Sequence, residues 1–292
     1  MAGHLSERLT CACSLVTDGL ILADIGTDHA FLPIERCRSG RTPSAIAADV
    51  RPGPLSRAES HVREAQLEDR IECRLSDGFS AIRPGEVQTA VITGMGGLLI
   101  CDILRRGAET VDSLQELILG PQSEPSDVRR CAAEMGFAID REEMIEEDGK
   151  FYVLIRLRRE HRSGVQASGK HSVADFAYTC ANDSETDGFD RDRNPSGKTV
   201  QMCKKSVNSD AIPDEEAAEE LAALNFGPYL LEHRNPVLFR FLCRRQEVLK
   251  GLLENLSQRR AEGGLSPAAE KRYSEIKEEM RLIATAQKRY EK

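Results

Sequence analysis

Short apolar runs alternate with amphipathic stretches along residues 1–159. Leu20–Asp24 is a short apolar run that ends in an acid, typical of a buried strand, whereas Pro52–Gln66 repeats apolar residues at helical spacing. Strands that alternate with helices form βαβ units and a largely parallel sheet. The remaining predicted strands are 44–49, 70–75, 87–93 and 114–119, and the remaining predicted helices are 6–16, 31–39, 98–107 and 125–135. Residues 137–158 predict two strands joined by a turn at Glu147–Lys150. Residues 1–159 are therefore predicted to form a doubly wound α/β domain that ends in an antiparallel hairpin.

Residues 160–214 show neither the period of a strand nor that of a helix. Ser, Gly, Asp, Asn and Lys dominate this segment, and Ala181–Gly188 is almost wholly polar. Such a composition buries too little apolar surface to offset the entropy that an ordered chain loses. We predict that residues 160–214 form a disordered insert.

Helical periodicity returns at about residue 215. One seam has steps of three and four residues, as a coiled coil requires. Its members are Tyr273, Ile276, Met280, Ile283, Gln287 and Tyr290, and the preceding stripe contains Phe239, Leu242, Leu249, Leu253 and Leu256. Ser266 is a favourable N-cap for the second helix, and Pro267 suits its first position. Residues 215–292 are predicted to form an α-helical coiled-coil hairpin domain.

Composition narrows the class of protein. No apolar run approaches the ~20 residues that span a bilayer, and Glu7 and Arg8 interrupt the start of the chain before a signal-peptide core could form. The nine cysteines include no C-x-x-C pair. We therefore expect a cytoplasmic protein with reduced thiols, no membrane segment and no metal site.

Charge is distributed unevenly along the chain. The whole sequence carries −8, yet the residues from Phe226 onward include 14 lysines and arginines against 9 acids. A basic arm on an acidic body favours a polyanionic partner, although a solvated helix surface remains the alternative. The candidate RNA-binding residues on this arm are Arg234, Arg240, Arg244, Arg245, Lys250, Arg259 and Arg260.

Candidate ligand-binding residues follow four of the predicted strands. In an open α/β sheet, ligands bind at the carboxyl ends of the strands. The residues at these ends are Asp24, Gly26, Asp49, Asp77, Gly78, Gly94, Met95 and Gly96. Asp49 is placed to accept hydrogen bonds from ribose hydroxyls, and Asp77 could meet an adenine amino group. The glycines of Gly94–Gly97 predict open space beside the reactive end of a ligand.

Together these acids and glycines favour an adenosine-containing ligand. The G-x-G-x-x-G pattern of nicotinamide enzymes is missing, and Gly197–Thr199 lacks the first glycine of a phosphate loop. S-adenosylmethionine fits better, because it carries positive charges and no phosphate. A single aspartate at a strand end is, however, often a helix cap.

The motifs resemble the bacterial tRNA (adenine-22, N1)-methyltransferase family, TrmK. The resemblance rests mainly on Ala23–Pro33 and Gly94–Gly97, with support from Leu5–Leu9, Glu146–Lys150 and Phe226–Leu231. It implies a Rossmann-like class I S-adenosylmethionine-dependent methyltransferase domain followed by a coiled-coil domain. It also implies methyl transfer to N1 of adenine 22 in tRNA.

For this reaction Asp28 and His29 are the candidate catalytic residues, and His29 could contact either the base or the cofactor. Asp28 follows the Gly26 turn, where a carboxylate near the adenine N6 atom could offset the charge of the product. The alternatives are that Asp28 serves as an N-cap and that His29 caps the next helix or packs on it. The target base must leave its helix to react, and Phe31 and Tyr152 are candidates to stack on it.

Two departures from the family leave other functions open. Residues 119–122 read Leu-Gly-Pro-Gln, whereas the family's segment at this place looks more like Leu-Gln-Pro-Asn. The insert at 160–214 is not typical of the family either. A methyltransferase of another substrate, with the coiled coil as a dimer arm, and a noncatalytic protein that binds S-adenosylmethionine or RNA remain alternatives. The sequence leaves the oligomeric state open, with a monomer slightly favoured.

Overall fold

A computed structural model describes residues 5–159 and 215–291, so the insert predicted at 160–214 lies outside the described residues. Seven strands form one sheet in the order β3-β2-β1-β4-β5-β7-β6. The strands are β1 Leu22–Ile25, β2 Ala45–Asp49, β3 Ile71–Leu75, β4 Thr89–Met95, β5 Glu116–Pro121, β6 Phe137–Glu147 and β7 Lys150–Arg159. Strands β1 to β5 pair in parallel, and β7 runs antiparallel to both of its neighbours. The predicted doubly wound sheet with a terminal hairpin is confirmed.

Helices cover the sheet at both faces. In chain order, those of the first part are α1 Glu7–Leu15, α2 Phe31–Arg38, α3 Pro52–Glu64, α4 Gly97–Arg106, α5 Ala108–Asp112 and α6 Pro125–Glu134. Those of the last part are α7 Glu215–Phe226, α8 Pro228–Glu232, α9 Pro236–Gly263 and α10 Pro267–Gln287. Helices α5 and α8 were not predicted, because about one and a half turns are too short to show a helical period.

Successive residues of the central strands enter two different apolar clusters. Ala23 and Ile25 of β1 pack with α4 and α6, whereas Leu22 packs with α1 to α3 on the opposite face. All residues of β1, β2 and β5 are buried. A strand that is covered on both faces reads as a continuous apolar run, which explains why these strands were recognisable.

The C-terminal helices share the apolar cluster of the α4 and α6 face. Leu238, Leu242 and Leu249 of α9 and Ile276 and Ile283 of α10 are buried in it. Ser266 caps α10 as predicted, because its side chain accepts a hydrogen bond from the Ala269 N–H.

Helices α9 and α10 are antiparallel neighbours. Arg245 pairs with Glu279, and Arg260 pairs with Glu270 nearer the connecting loop. Phe239 was expected in the apolar stripe of the first helix but is 40% exposed, and its ring lies beside that of Tyr290. The helical hairpin is thus observed, and a supercoiled seam stays a prediction.

Among the described helices, none combines the length and the apolar character that crossing a bilayer requires. Cys13, Cys37, Cys101 and Cys131 are buried and unbridged, and the described residues contain no cluster of metal-ligating side chains.

Candidate active site

A cavity of about 700 Å³ lies at the carboxyl edge of β1, β2 and β4. Its wall is completed by the first turn of α1 and the start of α4. The volume is in the range of sites that hold a drug-sized ligand. The predicted residues Asp24 to His29, Asp49, Asp77, Gly78, Gly94 and Met95 line it, whereas Gly96 lies just beyond its lining.

Asp24 ends its strand inside the protein, with 7% of its surface exposed. Its Oδ2 atom accepts a hydrogen bond from Thr27 Oγ1 at 2.6 Å. Burial raises the pKa of the Asp24 carboxyl from 3.8 to about 6, against the opposing effect of the Thr27 hydrogen bond, and the nearby charge of Asp49 adds to the increase. Because burial disfavours the ionised form of Asp24, a cationic ligand group beside this carboxylate would stabilise it.

Asp49 ends β2 next to β1 and is 4% exposed. Its Oδ1 atom accepts a hydrogen bond from the backbone N–H of Arg51 at 2.8 Å, and the Arg51 guanidinium lies 3.8 Å away. The bond to the Arg51 N–H leaves Oδ2 without a described partner, so this oxygen can accept a hydrogen bond from a ligand.

The glycines at the ends of β1 and β4 have different roles. Gly26 has a φ of +77° and lies beneath the Met95 side chain, so a Cβ at residue 26 would clash with Met95 Cε. Gly94 has a φ of +80° and borders open cavity space. Gly97, in contrast, packs on the backbone oxygens of Ser123 and Glu124. The expectation that all three glycines of Gly94–Gly97 leave open space is therefore wrong, because Gly97 is needed for close packing.

Asp77 lies at the outer rim of the cavity. Its carboxylate accepts hydrogen bonds from both terminal nitrogens of Arg106 on α4, and these bonds lower the pKa of Asp77. Gly78, with a φ of +60°, turns the chain against Ile103. Asp77 is thus already paired with Arg106, so an adenine amino group would have to share this carboxylate with the arginine.

Asp28 also lines the cavity and adopts a φ of +51°. Its Oδ1 atom accepts a hydrogen bond from Arg57 at 2.7 Å, which lowers the pKa of Asp28. Helix α2 has Ala30 at its N-cap and no side-chain cap. The alternative that Asp28 caps this helix is therefore wrong.

His29 packs rather than caps. Its ring stacks on Phe31 with a centroid separation of 5.1 Å, and its Nε2 atom lies 3.5 Å from Asp28 Oδ2. His61 of α3 completes the aromatic cluster and approaches the His29 carbonyl through its Nδ1 atom. Phe31 is 36% exposed on the cavity wall.

Four residues in or beside the cavity were not predicted as site residues: Arg8, Arg57, His61 and Gln122. Arg57 is exposed on α3 and His61 is half-buried against His29 and Phe31, and neither residue type carries a signal in a helical sequence pattern. Arg8 belongs to the quoted segment Leu5–Leu9, but its place in the cavity depends on how α1 packs. Tyr152, a candidate for base stacking, lies beneath the guanidinium of Arg8.

Most of the predicted RNA-binding arginines already have partners in the protein. Arg240 and Arg244 both pair with Glu146 of β6, and Arg245 and Arg260 pair across the helical hairpin. Arg234, Lys250 and Arg259 are exposed. Three arginines at the end of β7 also have partners within the protein: Arg156 and Arg159 donate to the carbonyls of Leu15 and Leu114, and Arg158 lies 3.8 Å from Glu116.

The sheet order, the cavity at its carboxyl edge and the acids that end β1 and β2 define a Rossmann-like methyltransferase fold. Residues 5–155 match a family model described as a methyltransferase domain. The chain belongs to this methyltransferase family.

Individual relatives are more specific. A tRNA (adenine(22)-N(1))-methyltransferase of Bacillus subtilis is 34% identical over 151 residues, which cover 52% of this chain and 63% of the relative. A Streptococcus pneumoniae structure in complex with S-adenosyl-L-methionine is 25% identical, with a TM-score of 0.67 over 97% of this chain and 99% of that one. The B. subtilis tRNA methyltransferase TrmK has the same fold, with 24% identity and a TM-score of 0.70 over 97% and 98% of the two chains.

These matches confirm the family resemblance. In sequence, the chain spans about three fifths of the length of the curated relatives that it matches.

Proposed function

We propose that this protein transfers a methyl group from S-adenosylmethionine to N1 of adenine 22 in tRNA. The observation that carries the proposal is the cavity at the carboxyl edge of the sheet, where Asp24, Asp49 and Gly94 converge. The B. subtilis relative, which bears the name of this activity, supports the choice of reaction and substrate. The proposed division of the chain is a catalytic domain at 1–159, an insert at 160–214 and a helical RNA-binding domain at 215–292. A tRNA substrate also favours the cytoplasm as the location.

The cavity suits S-adenosylmethionine in its charges. Asp49 presents a buried carboxylate suited to ribose hydroxyls, and Asp24 presents one suited to an ammonium group. The shielded Arg8 Nε atom has no hydrogen-bond partner among the described residues, as expected of a group that awaits a ligand. When bound, S-adenosylmethionine supplies an electrophilic methyl group on its sulfonium.

Asp28 acts on the target adenine as a fixed anion. N1 of an unpaired adenine has a free lone pair, so the reaction needs no strong base. Because Arg57 lowers the pKa of Asp28, this carboxylate stays ionised and accepts a hydrogen bond from the N6 amino group. That contact grows stronger as positive charge develops on the methylated ring. Phe31, exposed on the same wall, is placed to stack on the extruded base.

Purified protein incubated with labelled S-adenosylmethionine and unmodified bacterial tRNA is expected to yield N1-methyladenosine at position 22. The same tRNA with guanine at position 22 is the matched control and should take up no label. Asp28→Asn should lower kcat by about 10- to 100-fold, because an amide carries no charge to stabilise the product, while cofactor affinity stays near that of the wild type. Mass spectrometry of nuclease digests locates the methyl group.

Label in the guanine-22 control would contradict adenine 22 as the target. Methylation of a small molecule without stimulation by RNA would contradict tRNA as the substrate. Binding of S-adenosylhomocysteine without any methyl transfer would favour the noncatalytic alternative.

RNA binding by the helical arm is expected to depend on its exposed cations rather than on the paired ones. Changing Lys250 and Arg259 to glutamine should weaken tRNA binding several-fold and reduce the slope of log affinity against log salt by about 2. Changing Arg38 and Arg83 to glutamine removes the same charge elsewhere and should leave affinity unchanged. Filter binding at several salt concentrations measures both; equal effects of the two pairs would exclude a role for the arm.

A further inference from the structure

The loop between β1 and α2 has a conformation that residues with a Cβ atom rarely adopt. Asp28 and Ala30 have φ angles of +51° and +56°, in the left-handed region. Within the loop, the N–H groups of His29 and Ala30 both donate to the Thr27 carbonyl, and no side chain caps the helix that follows. A backbone of this kind persists only where its surroundings fix it. Contacts from outside the loop are therefore expected to contribute to its conformation.

Helix α3 supplies two such contacts, from residues about one helical turn apart. Arg57 donates to Asp28 Oδ1 at 2.7 Å. His61 Nδ1 lies 3.1 Å from the His29 carbonyl oxygen. Because a carbonyl oxygen only accepts hydrogen bonds, His61 Nδ1 carries the proton and is the donor. Residues four apart on a helix share a face, so both contacts reach the loop from the same side.

The ring of His61 also supports the aromatic side chains of the loop. Its centroid lies 5.2 Å from that of His29 and 5.0 Å from that of Phe31, and the rings of His29 and Phe31 stack on each other. Each of the three rings contacts the other two and so limits the positions that they can take. The part of Phe31 that is exposed on the cavity wall therefore belongs to a ring that is held in place.

His61 lies outside the lining of the cavity, whereas Asp28, His29 and Phe31 belong to it. An effect of His61 on a molecule in the cavity is therefore exerted through these loop residues. The side chain of Arg57 is about half exposed and contacts the loop at one carboxylate. His61 bonds the loop backbone and packs on two of its rings, so it is the contact best placed to fix the path of the loop.

We propose that His61 is a positioning residue for methyl transfer, which holds the loop so that Asp28 and Phe31 face the target adenine. The inference rests on the proposed function, in which Asp28 accepts a hydrogen bond from the N6 amino group and Phe31 stacks on the extruded base. A small displacement of either group lowers the rate of a reaction that depends on alignment. The carboxylates assigned to the cofactor, Asp24 and Asp49, belong to β1 and β2 and should keep their places without His61.

Three substitutions separate the hydrogen bond of His61 from its ring contacts. His61→Asn keeps an N–H donor and loses the ring, His61→Phe keeps a ring and loses the donor, and His61→Ala loses both. In single turnovers with labelled S-adenosylmethionine and tRNA, His61→Ala should lower the rate of methyl transfer about 10-fold, and the other two variants should fall between it and wild type.

Affinity for S-adenosylhomocysteine separates positioning of the loop from damage to the cavity. Measured by calorimetry, it should stay within about twofold of wild type in all three variants. Glu59→Ala, which changes an exposed residue of the same helix, is the matched control and should alter neither the rate nor this affinity. An equal loss of rate and affinity in His61→Ala would overturn the proposal, because the cavity itself would then have changed.

A combined variant tests whether His61 acts through the two loop side chains. In Asp28→Asn/Phe31→Ala protein these groups are gone, so adding His61→Ala should change the rate by less than about twofold. A further 10-fold loss in that background would overturn the proposal, and so would a wild-type rate in His61→Ala alone. A wild-type protein that transfers no methyl group to adenine 22 would contradict the proposed function itself, and the role of His61 would fall with it.

Discussion

Replacing Asp24 by asparagine is expected to stabilise the unliganded protein at about pH 8 while weakening its binding of S-adenosylmethionine. Burial raises the pKa of this carboxyl from 3.8 to about 6, so folding favours its protonated form. The contribution of Asp24 to stability is complete below about pH 4, is lost as the pH rises through about 6, and stays lost above that pH. A shift of about two pH units corresponds to roughly 3 kcal/mol, and the neutral amide avoids this cost.

Asparagine retains an oxygen that can accept the hydrogen bond of Thr27 Oγ1. We therefore expect Asp24→Asn to raise the free energy of unfolding by about 1–3 kcal/mol at about pH 8, with the gain vanishing toward pH 4. Cofactor affinity should fall at least about 10-fold, because the ligand loses a charged partner. Urea unfolding at both pH values and calorimetry with S-adenosylhomocysteine measure the two effects.

Asp28→Asn is the control of opposite sign. Arg57 lowers the pKa of Asp28, so its ionised form favours folding above its ordinary pKa, and the favourable effect is lost as the pH falls. Its side chain is half exposed, which makes the effect small. A loss of stability in Asp24→Asn at about pH 8 would show that the buried carboxylate is matched by partners within the protein and is not held for a ligand.

The sequence revealed the part of the site that depends on local order. Asp24 and Asp49 each end an apolar run, and the parallel pairing of β1 with β2 brings them to one edge. That step needs only the rule that ligands bind at the carboxyl ends of parallel strands. Arg8 could not be placed in the same way, because its position in the cavity depends on how α1 packs against the terminal hairpin.

The helical arm shows the converse limitation. Its arginines carry a clear excess of positive charge in the sequence, but charge counts do not show which acids lie opposite. Glu146 comes from β6 and takes up both Arg240 and Arg244, and Glu279 faces Arg245 from the antiparallel helix. A prediction from charge alone therefore overstates the surface available to RNA.

Replacing Arg129 by methionine is expected to cost about 3–5 kcal/mol of stability, the largest effect that we predict for a side chain outside the cavity. Arg129 and Glu142 are almost fully buried, and Arg129 Nε donates to Glu142 Oε1 at 2.7 Å. Arg129 also donates to the carbonyls of Leu224 and Asn225 at the end of α7. The Tyr229 N–H donates to Glu142 Oε2. The pair thus fastens the C-terminal helices to α6 and β6.

Methionine leaves Glu142 as a buried charge without its partner and frees two carbonyls at the end of α7. The neighbouring Arg130→Met is the matched control: this arginine is exposed and paired with Asp127 within one helix turn, so the change should cost less than about 0.5 kcal/mol. Adding Glu142→Leu to Arg129→Met should restore only part of the loss, because the two carbonyls and the Tyr229 N–H stay unpaired.

Function separates this anchor from a simple core contact. If the ion pair holds the helices that we propose to bind RNA in register with the cavity, Arg129→Met should raise the KM for tRNA more than it weakens S-adenosylhomocysteine binding, at a temperature where the variant is still folded. An equal loss of both affinities would mean that the substitution disturbs the sheet edge itself. A stability loss no larger than that of Arg130→Met would refute the anchor, since a buried carboxylate cannot lose its only described cation at no cost.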